Sequence, residues 1–376
     1  MGQQQIGVLD LYCGMGGLSI GLEMTSGFEV LGGIDIYEPA LDTFRIAHPG
    51  SAPGFHGPTD ISGVRGSDLR SALGREPELI VGGPPCQGWS AAGRRLTAYK
   101  EDPRNRQVFE FLRIVREIRP PAFLMENVSG IKTTGQSRKN QLLEQLCDEY
   151  RDIGYEVVWK VLDASRYRVP QRRKRLFLVG TRKDMPSFVF PPAPCGDAPD
   201  LFSGSEATQT VWDALGDLPA PEDRDPQGYN GAPESPLQWF LRANSDQLHN
   251  HLDTNHRPET VEKLRKQEVG SRLYDWNHSW YRLDPTQPSP TIKMNNRAPA
   301  VHFREPRLIS PRECARLQTI PDRVRISGNK TQQLTQVGNA VPSILAAHLG
   351  TALLEQVFRV TPAVIWDDRH NPLANG

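Results

Sequence analysis

The sequence predicts a doubly wound α/β sheet together with a second, smaller, loop-rich domain. Three observations lead to this prediction. Short apolar runs alternate with helical patterns over the first part of the chain, as they do in βαβ units. From about Met185 the sequence becomes rich in proline, glycine and aspartate and has little periodicity. A helical pattern then opens at Gln336 and runs to about Phe358, and we expect it to pack back on the first domain.

Six apolar runs are interpreted as the strands of the sheet. They occupy residues 6–11, 29–34, 78–81, 122–125, 155–161 and 176–179. Amphipathic segments at residues 105–118 and 139–153 predict helices between them. Ligands bind such sheets at the carboxyl ends of the strands, so we expect the functional side chains directly after these runs.

The chain of 376 residues is therefore expected to have four parts. We assign residues 1–184 to the α/β domain and residues 185–322 to the second domain. Residues 323–360 are predicted to return to the first domain, and residues 361–376 are predicted to form a loose tail.

The composition excludes some classes of protein. Equal numbers of basic and acidic residues, 44 of each, create no overall field that would attract nucleic acid. Phosphate contacts must therefore come from a local basic cluster, and residues 166–175 carry six basic side chains and no acid. The five cysteines never form a Cys-x-x-Cys pair, so neither a disulfide framework nor a metal site is predicted. Without a signal pattern or a long apolar run, we expect a cytoplasmic protein with no membrane partner.

One thiol stands in a rigid loop directly after a predicted strand. Residues 83–90 read Gly-Pro-Pro-Cys-Gln-Gly-Trp-Ser, and the two prolines restrict the backbone before Cys86. A thiolate that adds to carbon 6 of cytosine creates an enamine, whose carbon 5 can attack an electrophilic methyl group. An acid at N3 assists this addition, and Glu126, kept protonated by a dry pocket, is the candidate. A lone cysteine is more often a small buried hydrophobe, but the two groups together favour catalysis.

A glycine-rich turn follows the first predicted strand. Gly14, Gly16 and Gly17 let the backbone approach a ligand, and free amides at the helix start suit an anionic group such as a carboxylate. Asp35 ends the next strand, where an acid can accept hydrogen bonds from ribose hydroxyls. Asp60 could bind an adenine amine. We therefore expect a nucleoside ligand at this turn.

Taken in order, these motifs resemble those of the C5-cytosine DNA methyltransferase family, of the prokaryotic restriction-modification type. The matching blocks are residues 10–19, 83–90, 102–105, 126–128, 171–175, 312–318 and 336–342. The resemblance covers nearly the whole chain apart from the variable region and the tail. It implies a Rossmann-like methyltransferase domain at residues 1–184 and a target-recognition domain at residues 185–322.

The resemblance also implies roles for individual residues. Cys86 would be the nucleophile and Glu126 the group at N3. Arg173 and Arg175 would hold the flipped base and the nucleophile loop, with Arg175 near the cytosine carbonyl. The cofactor would be S-adenosyl-L-methionine. The residues implied to bind it are Tyr12, Gly14, Gly16, Gly17, Leu18, Asp35, Ile36, Asp60, Ile61, Pro85, Asn339, Ala340 and Val341.

Three residues depart from the family pattern. Tyr12 stands where the family usually has phenylalanine, and its hydroxyl is expected to find water. Gln107 replaces a commonly apolar residue near the cofactor, and Ile320 replaces the usual aromatic residue before Pro321. These substitutions affect the fine geometry of the cofactor site and leave the chemistry intact.

The expected function is that of a sequence-specific DNA cytosine-5 methyltransferase that flips its target base out of the duplex. Double-stranded DNA would be its partner, a cognate restriction endonuclease could share its recognition site, and we expect a monomer. An RNA cytosine-5 methyltransferase of the same fold would share the catalytic blocks, but the Cys-Phe-Thr signature of that branch is not found in the chain. A catalytically inactive DNA-binding relative would be expected to lose Cys86 or Glu126, and both are present.

Overall fold

The computed structural model of the protein describes residues 5–52, 57–85, 106–128, 141–196, 207–274, 280–293 and 300–362. The described residues divide into two units. The first unit takes its residues from 5–163, 174–192 and 346–362, and the second takes its residues from 164–173 and 193–345. These bounds differ from the predicted domains, because residues 164–173 and 323–345 lie in the second unit. The roles assigned to the predicted domains stay predictions.

The first unit contains a six-stranded sheet, which confirms the predicted α/β class. Its strands are β1 (Ile6–Leu11), β2 (Phe28–Ile34), β3 (Leu79–Gly82), β4 (Ala122–Val128), β5 (Tyr155–Asp163) and β6 (Lys174–Arg182). The helices described between them are α1 (Gly17–Glu23), α2 (Glu38–Ala47), α3 (Gly66–Leu73), α4 (Gln107–Ile118) and α5 (Gln141–Asp152). All six predicted strands and both predicted helices are present, with ends that differ by up to three residues.

The order of the strands determines where ligands can bind. It is β2-β1-β3-β4-β6-β5, and β1 to β4 run parallel while β6 runs antiparallel to both of its neighbours. The chain therefore winds from β1 to β2 on one side and then crosses to β3 on the other. In open α/β sheets the crevice at such a switch point, outside the carboxyl ends of the strands, is the usual ligand site.

Aromatic side chains fill the centre of the first unit behind β4. The ring of Phe123 stacks on Tyr150 with 4.2 Å between centroids and meets Tyr155 edge-on at 5.3 Å. A Cβ atom at Gly180 on β6 would lie 2.0 Å from the Phe123 ring, so the absence of a side chain there makes room for the aromatic cluster. Buried aromatic pairs of this kind contribute beyond the area that they bury, and they fix β4 within the sheet.

The second unit has less regular structure than the first. Its described elements are α6 (Val211–Leu215), α7 (Pro236–Arg242), α8 (Pro258–Lys266), β7 (Tyr281–Arg282), β8 (Ala300–Val301), α9 (Pro311–Leu317) and α10 (Lys330–Asn339). Helix α11 (Ser343–Leu353) and a final helical turn (Leu354–Phe358) follow, and the chain passes back to the first unit within α11.

The prediction that a helix begins at Gln336 is wrong. Helix α10 already begins at Lys330, where Asn329 accepts a hydrogen bond from the Gln332 amide at 3.1 Å as its N-cap. The chain then breaks at residues 340–342, because Pro342 has no amide hydrogen and disfavours helical backbone at the residue before it.

The stretch Lys330–Phe358 is long and apolar enough to cross a membrane by length and composition alone. However, 83% of its most apolar window is buried inside the protein. That burial is typical of the core helices of a folded domain, whose apolar side chains contact protein on most sides.

Buried arginines hold the second unit together. The guanidinium of Arg316 on α9 contacts both oxygens of Asp322, with its Nη2 2.6 Å from Oδ2, and also bonds Asp217. Tyr229 donates a hydrogen bond of 2.7 Å to the same Asp322 oxygen. Arg312 donates to the carbonyls of His249 and Val324 at 2.9 and 2.6 Å. Because Arg312 and Arg316 are completely buried, each must have its hydrogen bonds satisfied within the protein.

We predict that Arg316→Met destabilises the protein by about 3–5 kcal/mol, because it removes the buried arginine that bonds both aspartates. Asp322 would keep only Arg312 at 3.7 Å, and Asp217 only Arg242 at 3.3 Å. Urea unfolding measures the change. The matched control is Arg265→Met, which removes an arginine from an ion pair with Glu262 whose partners are 65% and 50% exposed. Exposed pairs contribute little, so the control should unfold like the parent protein. Equal unfolding midpoints for the two variants would contradict the prediction.

Candidate active site

The carboxyl end of β4 and the start of β6 bring together a carboxylate and a guanidinium. Glu126 lies on β4, and its Oε1 is 2.9 Å from the Nε of Arg175 near the start of β6. Since β6 runs antiparallel to β4, its first residues reach the same edge of the sheet as the last residues of β4. Both side chains are largely buried, at 17% exposed for Arg175 and 12% for Glu126. The predicted role of Glu126 as an acid stays a prediction.

The segment that leads to Cys86 leaves the sheet beside this pair. Cys86 itself lies outside the described residues, as do residues 87–105. A Cβ atom at Gly83 would lie 3.3 Å from Oε2 of Glu126, so that glycine is next to the carboxylate. The Asn127 side chain donates a hydrogen bond of 3.2 Å to the Pro84 carbonyl. The two contacts fix the chain that precedes Cys86 against the end of β4.

The cysteines that the structure describes are poor candidates for a nucleophile. Cys13, Cys147, Cys195 and Cys314 are all buried. Burial raises the pKa of Cys147 to about 11 and raises the pKa values of Cys13 and Cys314 as well. A thiol must ionise to act as a nucleophile, so these three would be almost entirely protonated near neutral pH.

The glycine-rich turn after β1 leaves room for a ligand at one glycine. Gly14 and Gly16 have φ values of +52° and +87°, a region that glycine enters most readily. Among the described residues, a Cβ atom at Gly14 would meet nothing within 4 Å, whereas one at Gly16 would lie 2.7 Å from Nε2 of His48. The open space is therefore at Gly14, and Gly16 packs closely against the protein.

The amides of this turn are partly occupied. The Gly14 amide donates to the Asp35 carboxylate at 2.8 Å, and the Gly16 amide donates to the Cys13 carbonyl at 2.8 Å. Neither of these two amides is therefore free to bind an anionic group in this structure. Gly17 and Leu18 are in the first turn of α1, where amides have no partner within the helix, and they are the remaining candidates for an anionic group.

The chain segments that carry Asp35 and Asp60 are hydrogen-bonded to each other. Asp35 accepts hydrogen bonds from the amides of Gly14 and Tyr37, both at 2.8 Å, and burial raises its pKa. The Thr59 amide donates to the Asp35 carbonyl at 2.8 Å, which brings the following residue, Asp60, to the same edge. Asp60 accepts hydrogen bonds from the amide and hydroxyl of Ser62 at 3.0 and 2.8 Å, and these lower its pKa.

The residue that follows Asp35 in the chain is apolar and exposed. Ile36 is 68% exposed, although it directly follows the buried strand β2, while Ile61 is buried beneath Asp60. Two acceptors, an exposed apolar side chain and open space at Gly14 are the features that a nucleoside with a charged tail requires. The residues present therefore fit such a ligand.

Sequence reasoning missed a buried acid beneath the glycine-rich turn. Asp10 lies inside β1 and is 1% exposed, and the Ser19 hydroxyl donates to its Oδ2 at 2.6 Å. Its Oδ1 has no hydrogen-bond partner among the described residues. Burial raises the pKa of Asp10 to about 7, opposed by Ser19 and helped by the nearby charge of Asp35. The signal in the sequence was an acid within an otherwise apolar run.

Of the other predicted site residues, Tyr12 and Pro85 lie in the first unit, and Arg173, Asn339, Ala340 and Val341 lie in the second. The guanidinium of Arg173 is buried and donates to the carbonyls of Ile292 and Gly338 at 2.9 and 3.1 Å. Asn339 is exposed, while Ala340 and Val341 are buried. The Gln318 side chain donates to the Val337 carbonyl at 2.7 Å and so holds the end of α10. Within its own unit, Arg173 is thus engaged by main-chain carbonyls.

A family model, curated relatives and a solved structure that match this chain are all described as methylases or methyltransferases. The family model described as C-5 cytosine-specific DNA methylase matches residues 6–355. Type II methyltransferase M.XorII from Xanthomonas oryzae is 31% identical, over 92% of this chain and 84% of its own. Type II methyltransferase M1.HphI from Haemophilus parahaemolyticus is also 31% identical, over 92% and 86% of the two chains. A solved structure described as a DNA modification methyltransferase encoded within an E. coli prophage is 27% identical, with a TM-score of 0.76 over 94% and 99% of the chains.

We predict that Asp10 makes the stability of the protein depend on pH. Its folded-state pKa of about 7 lies above its ordinary value of 3.8, so the folded protein holds a proton that the unfolded chain has lost. Between these values the stability of the wild type should fall by up to about 1.4 kcal/mol per pH unit relative to Asp10→Asn, which carries no charge. Urea unfolding of both proteins from pH 4 to pH 8 measures this. Parallel profiles would contradict the prediction.

Proposed function

Since this chain belongs to the C-5 cytosine-specific DNA methylase family and is a DNA cytosine-5 methyltransferase, we propose that it methylates one cytosine within a specific sequence of double-stranded DNA. The observation that supports this most directly is the contact of Gly83 and Pro84 with Glu126 and Asn127. This contact holds residues 83 and 84, which precede Cys86 in the chain, next to the carboxylate of Glu126. Glu126 is paired with Arg175.

The proposed chemistry begins with the target base outside the duplex, because stacked bases hide the ring faces that a nucleophile must reach. The Cys86 thiolate forms a bond to carbon 6, and carbon 5 becomes nucleophilic. Glu126 holds N3 and the exocyclic amine while charge develops on the ring. Arg175 contacts the cytosine carbonyl. Glu126 takes up a proton from solvent and donates it to N3 as the thiolate adds to carbon 6. After methyl transfer, a water molecule takes the proton from carbon 5, the bond between the Cys86 sulfur and carbon 6 breaks to release the thiolate, and N3 returns its proton to Glu126.

The proposed cofactor is S-adenosyl-L-methionine, which supplies an electrophilic methyl group when it is bound. Asp35 would accept hydrogen bonds from its ribose, and Asp60 would accept one from its adenine amine. Ile36 offers the exposed apolar surface on which an adenine ring can pack. The amides of the first turn of α1 would face its carboxylate. The other predicted contacts, Tyr12, Pro85, Ile61 and residues 339–341, remain part of this proposal.

Sequence specificity is proposed to come from residues 185–322, the predicted target-recognition domain. The described part of this region is rich in loops with polar side chains, which suits contacts to base edges in the major groove. Helix α9, with its buried Arg312 and Arg316, would support those loops from below. Arg173 would act by holding residues 292 and 338 in place through their carbonyls.

The proposed setting is a bacterial cytoplasm, where a monomer acts on DNA beside a cognate restriction endonuclease. The relatives that match are named Type II methyltransferases, which supports a modification role. The names also favour DNA over the RNA substrate of the alternative function.

Bisulfite sequencing of DNA from a host that expresses the chain tests the function, because it reports both the product and the recognition sequence. We predict methylation of one cytosine in a defined site by the wild type and none by Cys86→Ser, since an alcohol is far less ionised than a thiol near pH 7. Cys147→Ser makes the same change at a buried thiol and should keep the methylation pattern. Full methylation by Cys86→Ser would exclude the thiolate mechanism.

We predict opposite effects for substitutions on the two sides of the site. Glu126→Gln should slow single-turnover methylation by roughly a hundredfold, the scale of lost acid-base assistance, and change cofactor affinity little. Asp35→Ala should weaken the binding of S-adenosylhomocysteine, measured by calorimetry, before it affects the rate at saturating cofactor. The two variants are controls for each other. An unchanged single-turnover rate for Glu126→Gln would remove Glu126 from the chemistry.

A further inference from the structure

Two residues that depart from the family pattern are bonded to each other. The hydroxyl of Tyr12 donates a hydrogen bond of 2.8 Å to the side-chain oxygen of Gln107 and lies 3.1 Å from the Gln107 main-chain carbonyl. Tyr12 directly follows β1, and Gln107 is the first residue of α4. The sequence led us to expect that the Tyr12 hydroxyl would be bound by water, so this contact corrects that expectation.

The conformation of Tyr12 shows that its position is strongly constrained. Its φ is +58°, a left-handed value that is uncommon for residues other than glycine, and a bulky side chain keeps it only where the surroundings enforce it. The ring packs against the main core of the first unit. Burial raises the pKa of the Tyr12 phenol, as do the nearby carboxylates of Glu110, Asp60 and Asp35, so the hydroxyl remains a neutral donor.

Helix α4 is fastened to the same edge of the sheet at a second point. The guanidinium of Arg113 donates to the Ile61 carbonyl at 2.9 Å and is held by Glu110 at 2.8 Å. Ile61 follows Asp60, so this contact ties α4 to the segment proposed to bind adenine. The first two turns of α4 thus connect the end of β1 with the Asp60 segment.

We propose that the hydrogen bond between Tyr12 and Gln107 is a positioning element of the cofactor site. It fixes the Tyr12 ring beside the glycine-rich turn and fixes the start of α4 beside Asp60. This inference rests on the proposed function, because it takes the cofactor to lie at that edge. The two polar side chains compensate each other. Without the Tyr12 hydroxyl the Gln107 side-chain oxygen loses its donor, and without the Gln107 side chain the Tyr12 hydroxyl keeps only the longer contact to the Gln107 carbonyl.

The test uses the full chain with three variants, Tyr12→Phe, Gln107→Leu and the double variant, and calorimetric binding of S-adenosylhomocysteine. Each single change should weaken binding about three- to tenfold, the effect of one lost neutral hydrogen bond. The double variant should bind within about twofold of the wild type, because replacing both partners by apolar groups leaves no unpaired atom. In steady-state methylation the single variants should raise KM for S-adenosylmethionine and leave kcat nearly unchanged.

A matched control separates positioning from general stability. Tyr155→Phe also removes a buried hydroxyl, one that donates to the Pro120 carbonyl at 2.6 Å, at the start of β5. It should lower the Tm and leave the binding of S-adenosylhomocysteine unchanged.

Each outcome bears on a distinct claim. Single variants that bind like the wild type, or a double variant weakened by the product of the two single effects, would overturn the coupling. If Tyr155→Phe weakened the binding of S-adenosylhomocysteine to the same extent, the effect of the Tyr12 and Gln107 variants would be one of general stability. That result would also overturn the proposed positioning role. A wild type that binds no S-adenosylhomocysteine would overturn the proposed function, and this inference with it.

Discussion

The main chains of β1 and β3 approach so closely at Gly82 that a Cβ atom there would lie 2.0 Å from the Leu11 carbonyl oxygen. Any side chain at this position would push apart the two strands on either side of the switch point. The contact brings Leu11, Gly82 and Met125 into register across three parallel strands, so β1 and β3 end at the same level. Strand β4 continues three residues further and carries Glu126 past the end of β3. The arrangement of the candidate active site follows from this register.

The strands were predictable because each is a short, nearly continuous apolar run, which is typical of a buried parallel sheet. The position of Glu126 beside residues 83–85 was also within reach of the sequence, because the carboxyl ends of neighbouring strands share one edge. Contacts that depend on burial could not be predicted from the sequence. Nothing in the sequence distinguishes Arg173, bound to two carbonyls in the second unit, from Arg175, paired with Glu126 in the first.

The same limit applies to polar groups inside strands and turns. The partner of the Tyr12 hydroxyl is 95 residues away in the chain, and no local pattern links the two. Asp10 reads as one acid in an apolar run, and its effect on stability depends on burial that only the packed sheet creates. The second unit is the opposite case. Its sequence looks irregular, yet buried charges such as Arg316 and Asp322 give it internal order that hydrophobic periodicity does not reveal.

The first unit is assembled from three separate stretches of the chain, and the last of them begins within α11. A Cβ atom at Gly27 would lie 2.5 Å from Cδ1 of Leu354, and the rings of Phe28 and Phe358 meet edge-on at 6.3 Å. Leu354 and Phe358 are translated after residues 164–173 and 193–345 of the second unit. While the chain is being synthesised, the layer that covers β2 therefore stays incomplete until residues 354–358 have been made, and the sheet edge beside that strand rests on a complete core only after that point.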